Sequence, residues 1–160
     1  MKSRLTAAFA AASLTATSSA ALAGDAQHQA QVERNSEHVM PFSMGATMHH
    51  FDPTPTGGVQ TVLVRNGDSK QLVLVRSHVR KEALAFARGD FADPASIHGA
   101  DMPGLKAMHA GSSRISVRYA DVPNGAAITY ATHDPALVSA VHAWFKAQVG
   151  DHGAHATMKM

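Results

Sequence analysis

The chain of 160 residues has no cysteine. That excludes disulfides, thiolate metal sites and thiol nucleophiles, so stability has to come from packing. Aromatic side chains fill only 6 % of positions and are not interleaved with the basic residues, which argues against a nucleic-acid surface. Charge of one sign is missing as well. The 14 basic residues include Lys2 and Arg4, and the remainder only balance the 12 acidic ones. A pI of 9.2 is therefore no sign of an anionic partner. No stretch approaches the ~20 apolar residues of a membrane span. The chain has no G-x-S-x-G, no P-loop, no dinucleotide fingerprint and no H-E-x-x-H. Without C-x-x-C-H, any haem would be held non-covalently.

Imidazole, by contrast, is abundant: there are eleven histidines. Histidine is the commonest metal ligand and the side chain that normally titrates near neutral pH. The start of the chain is an export signal. Met1-Lys2-Ser3-Arg4 is basic, Leu5 to Thr15 is apolar and uncharged, and Ala21-Leu22-Ala23 is an A-x-A cleavage site. Residues 1–23 are read as a signal peptide and the protein as periplasmic or secreted. Residues 24–40 are read as a mobile leader, 41–150 as one domain, and 151–160 as a flexible His/Met tail.

Within the domain, Ser116-Val117-Arg118-Tyr119 alternates polar and apolar, and Val122-Pro123-Asn124-Gly125 has turn chemistry. This predicts a hairpin, with a second strand through Ile128, Tyr130 and Thr132. Asp134 and Pro135 suit the cap and first turn of a helix whose stripe is Leu137, Val141, Trp144, Phe145 and Gln148, ended by Gly150. The first half repeats the order: a strand over 47–54, a strand over 59–65, then a helix over 69–88. The expected fold is α+β, an antiparallel sheet of about four strands with two main helices on one face, built from two ββα units.

Histidine positions carry the functional reading. If Phe51 faces the core, His49 does too, because alternate strand residues share a face, and His50 points outward. His78 lies at the flank of the stripe Leu72, Val75, Val79, Ala83 and Phe86, with Glu82 one turn on. A His-x3-Glu pair can hold a metal, or orient an imidazole through the carboxylate. His142 occupies a similar flank of the last helix, so His78 and His142 are expected to approach each other. His98 and Met102, four apart in the segment between the units, suit a soft metal or an axial haem pair. Met40, Met44 and Met48 recur at every fourth position before His49.

Three runs carry a resemblance: Gly89-Asp90-Phe91-Ala92-Asp93-Pro94, Ile97 to Leu105, and Ala140 to Gln148 followed by Asp151-His152-Gly153. They resemble a group of small exported bacterial proteins often labelled aspartate carbamoyltransferase. The resemblance implies export and implies no mechanism. The Ser-Thr-Arg-Thr-Arg phosphate loop and the His-Pro-x-Gln motif of carbamoyltransferases are missing, so that activity has no motif behind it.

The expected function is a periplasmic binding protein for a transition metal, copper before zinc, or for non-covalent haem b. The candidate ligands are His78, His142, His49, His98, Met102 and Glu82. Only neutral imidazole binds metal, so affinity is expected to fall as pH drops through ~6.5. A metal-independent pocket for a small molecule or partner is the alternative. An enzyme using His78 with Glu82, or His98 with Asp101, as acid–base pairs is a third. Composition sets no oligomeric state.

Overall fold

The computed structural model describes residues 16–158. Helix α1 (Ala16–Val39) is followed by strands β1 (Thr47–Thr54) and β2 (Gly57–Val64) and helix α2 (Ser69–Phe86). Two short helices come next, α3 (Ala92–His98) and α4 (Leu105–Ala110). Strands β3 (Ser116–Val122) and β4 (Gly125–Ala131), helix α5 (Pro135–His152) and strand β5 (Ala156–Met158) complete the chain. The fold is α+β. No helix among the described residues is long and apolar enough to cross a membrane.

Strand–strand–helix does occur twice. The two hairpins join through β2 and β4, which run antiparallel from Gly57↔Ala131 to Leu63↔Gly125. The sheet is mixed rather than purely antiparallel, and has five strands in the order β3-β4-β2-β1-β5. The fifth comes from the tail, as β5 pairs parallel to β1 with Ala156 opposite His49. Helices α2 and α5 lie on one face. Tyr130 of β4 meets Phe86 of α2 at 6.4 Å and Trp144 and Phe145 of α5 at 5.6 and 5.8 Å, ring centre to ring centre.

Local chemistry explains the boundaries. Asp68 caps α2 by accepting from the backbone N–H groups of Lys70 and Gln71, and Asp134 caps α5 by accepting from Ala136. Asn124 takes φ 58° in the β3–β4 turn, a conformation asparagine tolerates. Two expectations need correction. Gly150 does not end α5, because a single glycine inside a helix costs only ~1 kcal/mol against alanine. The helix runs on to His152, and Gly153 ends it at φ 51°. Residues 25–39, expected as leader, belong to α1, where Val32 and Ser36 are buried. Side chains fasten this helix: Gln29 donates to the Gly150 carbonyl at 2.8 Å, and Asn35 donates to the Ile97 carbonyl at 2.9 Å. Most of the expected signal sequence, residues 1–15, lies outside the described residues.

Candidate functional site

The site is a cavity of about 40 Å³ between α2, α3, α5 and the inner face of β1, β2 and β4. One water needs only ~10–15 Å³ of such space, so the cavity admits an ion or a few heavy atoms. Its walls are apolar on the sheet and α5 sides, where Val62, Ile128 and Trp144 contribute. Its polar groups are His49, His78, Glu82, Asp93, His98 and His152, with Gln60 and Gln148.

Each imidazole arrives for a local reason. The β1 alternation turns His49 inward with Phe51, leaving the two 2 % and 0 % exposed, and turns His50 out. His98 is the last residue of α3 and His152 the last of α5, so two helix ends bring them together. The His98 and His152 rings meet edge-on at 4.8 Å, and His49 and His152 lie 5.3 Å apart. His78 comes from α2 and touches the edge of Phe42 at 5.6 Å.

Burial sets the protonation. Loss of hydration holds His49 near pKa 3, with the neighbouring His78 and His155 adding to the effect. Burial, helped by the Lys81 ammonium, brings His78 to about 4. His152 is pushed well below its ordinary value by burial and by His49 and His98. These rings are therefore neutral at neutral pH, with lone pairs to offer. His98 is oriented differently. Its Nδ1–H donates to Asp151 Oδ2 at 2.8 Å, so Nε2 is the ring nitrogen left to serve as a ligand. The other oxygen of the same carboxylate accepts from His28 Nε2 of α1 at 3.0 Å.

The opposite end of the cavity is acidic. Burial and the Asp93 carboxylate raise the Glu82 carboxyl to about 7. Lys81 Nζ donates to Asp93 at 2.8 Å and stands 3.4 Å from Glu82 Oε1. A group whose folded pKa is raised favours folding below its unfolded pKa and loses that contribution as pH rises through the folded value. Replacing Glu82 by Gln keeps the shape and removes the charge. Glu82→Gln is therefore expected to stabilise the protein at pH 8 by up to about 3 kcal/mol and to leave it unchanged at pH 4. Urea midpoints at the two pH values measure this, and an equal difference at both would refute it.

Four buried side-chain polar atoms have no hydrogen-bond partner among the described residues: His49 Nε2, Glu82 Oε1, Trp144 Nε1 and His155 Nδ1. The first three belong to residues lining this one cavity. An unpaired buried atom of this kind costs ~1–3 kcal/mol; of the three here, Glu82 Oε1 is offset in part by the Lys81 ammonium at 3.4 Å.

Of the six residues singled out in the sequence, His49, His78, His98 and Glu82 line the cavity. His142 does not. Its Nε2–H is shared between the carbonyls of Thr54 and Gly57, at 3.0 and 2.8 Å, so it ties α5 to the β1–β2 turn. It is absent from the cavity wall that His78 lines. Met102 is also misplaced, as it is buried in the hydrophobic core and absent from the cavity wall. Met40 is the thioether that lines it. His152 was missed. The spacing of Trp144, Gln148 and His152, four residues each, continues the inward stripe of α5 and was the available signal.

Among the described residues, no three His, Asp or Glu side chains are already arranged as a metal-ligating group. The imidazoles are gathered without being aimed at a common point. Compared with models of known protein families, with curated proteins and with solved structures, the chain matches none.

Proposed function

We propose that this is an exported protein, periplasmic or secreted, that binds a transition-metal ion in the imidazole-lined cavity, copper before zinc. The observation that supports it best is the run of ring contacts His49–His152–His98, in which His49 Nε2 lacks a partner among the described residues and His98 is held by Asp151. Neutral imidazoles suit both metals, and the Met40 thioether in the wall favours copper. The reading requires the three rings to turn until their nitrogens meet on one ion, since no such set is preformed among the described residues. Haem b suits the site less well, since a porphyrin greatly exceeds 40 Å³.

The test is titration of the protein with Cu(I), Cu(II), Zn(II) and haem against competing chelators. One tight copper equivalent is expected. His49→Ala, His98→Ala and His152→Ala should each abolish or greatly weaken it, and Asp151→Asn should weaken it ~10–100-fold through loss of the oriented imidazole. His142→Ala should retain wild-type affinity. If His142→Ala loses as much affinity as His98→Ala, the cavity is not the site.

A second reading rests on the acidic end. Glu82 held near pKa 7 beside His78 held near 4 is a pair of groups driven apart in the manner of an acid and a base. On that reading the protein acts on, or simply binds, a small polar molecule without metal. Thermal shifts by such molecules that survive a chelator would favour it.

A further inference from the structure

A second concavity lies on the far side of His152. It is a cleft of about 290 Å³ between α1, the turn Met44–Ala46 and the α5–β5 junction, lined among others by Gln29, Glu33, Met44 and His155. Among the described residues, His152 is the one that lines both this cleft and the inner cavity. It is 7 % exposed, so its ring forms the partition between the two spaces. His155 follows one turn later and stands beside Ala156, which is in register with His49 of the inner cavity. Its Nδ1 is buried with no hydrogen-bond partner among the described residues. Met44 and His155 line the outer cleft, His49, His78 and His98 line the inner cavity, and His152 lines both.

We infer that the outer cleft is a capture site for a soft, monovalent copper ion, with Met44 and His155 as donors, and that His152 passes the ion to the inner cavity. This rests on the inner cavity being a metal site. Thioether and imidazole are the donors that Cu(I) accepts where no thiolate exists, and this chain has no cysteine. Two donors bind weakly enough to release. The inner cavity offers more imidazoles, those of His49, His78 and His98 together with His152 itself, and this larger donor set binds more tightly and gives the direction of transfer. The exposed Glu33 at the rim adds attraction for a cation without fixing it. A turn of the His152 ring, in contact with His49 at 5.3 Å and His98 at 4.8 Å, exchanges an outer partner for inner ones.

The experiment follows Cu(I) transfer from a coloured Cu(I) chelate to the protein by stopped flow, alongside equilibrium affinity. Met44→Leu combined with His155→Ala is expected to slow loading by on the order of tenfold, within the range that association rates span among variants of one interface. The equilibrium affinity of the tight equivalent should stay at the wild-type level. Native mass spectrometry should show a second, weaker copper on the wild type that the double variant lacks. A double variant that binds copper and loads it as fast as wild type overturns the capture site and leaves the inner site standing. So does a double variant whose tight affinity falls in step with its rate. A wild-type protein that takes no copper overturns the inner site itself. A variant that fails to fold is recognised by circular dichroism, and Met44→Leu alone, which keeps the side-chain volume, then carries the same comparison.

Discussion

Between pH 7 and pH 4 the protein is expected to lose about 3–6 kcal/mol of stability, a large share of the 5–15 kcal/mol that a domain has. The cause is the set of imidazoles that burial keeps neutral. His49 is held near 3 and His78 near 4, and His152 is depressed as well. In the unfolded chain each would titrate near 6.5. Between that value and the folded one, the unfolded state binds protons that the folded state refuses. The favourable contribution is complete above pH 6.5 and drains away as pH falls toward the folded pKa. Glu82 opposes this. Its carboxyl is raised to about 7, so it favours folding increasingly as pH drops from 7 to about 4.5. Three histidines outweigh one carboxyl. Urea unfolding at pH 7, 5.5 and 4 should show a falling midpoint with an unchanged m-value. His49→Leu fills the same buried position with an apolar group and should flatten the slope by about 1.4 kcal/mol per pH unit. A midpoint that is flat from pH 7 to pH 4 would show that these rings are hydrated and exchange protons freely. Burial also changes the pH dependence to be expected of the proposed metal site. With His49 and His78 so far depressed, these two rings stay unprotonated well below pH 6.5.

The sequence showed the two hairpins and both main helices because each carries local chemistry. Alternation, Asn-Gly turns and aspartate caps act over a few residues and need no partner. It showed the inward turn of His49 for the same reason, since Phe51 two residues on shares its face. Elements that exist only through tertiary contact were illegible. Helix α1 is polar along most of its length and is held by Val32, Ser36 and side-chain bonds to α3 and α5. Strand β5 has three residues and forms only because β1 offers an edge.

The site divides along the same line. His78 and Glu82 could be placed because helical periodicity fixes one relative to the other. His98 could be named but not oriented, since its anchor is Asp151, 53 residues away. His142 departs from the expected approach to the site because flank position says which side a residue takes and not how far along the helix it meets a partner. It sits at the N-terminal part of α5, over the β1–β2 turn, while the cavity lies nearer the C-terminal end, at Gln148 and His152. Asp151 and His152 follow Gly150, the expected helix end, so the residues that gather the imidazoles fall within the expected tail. An Asp-His-Gly sequence at a helix end, rather than histidine count, was the pointer.

Trp144 joins the core to the cavity, and removing its ring is expected to have the second large effect. It is fully buried and lies within 5.6–6.2 Å, centre to centre, of Tyr130, Phe86, Phe145 and Phe91. Truncation to alanine removes an indole that touches α2, the sheet and the α2–α3 link at once. Trp144→Ala should cost about 3–5 kcal/mol, because rigid neighbours on three sides limit collapse into the space. Trp144→Phe separates packing from polarity. It keeps most of the ring contacts and deletes Nε1, which is buried without a partner among the described residues. An orphan donor costs ~1–3 kcal/mol, so its removal offsets much of the lost area, and Trp144→Phe should lie within ~1 kcal/mol of wild type. Urea denaturation measures both variants. A Trp144→Phe protein as unstable as Trp144→Ala would mean that Nε1 is bonded in solution, and that the cavity contains a partner for it. A stable Trp144→Phe protein shows instead that the indole N–H is tolerated in the wall, as His49 Nε2 and Glu82 Oε1 are, at a standing cost to the fold.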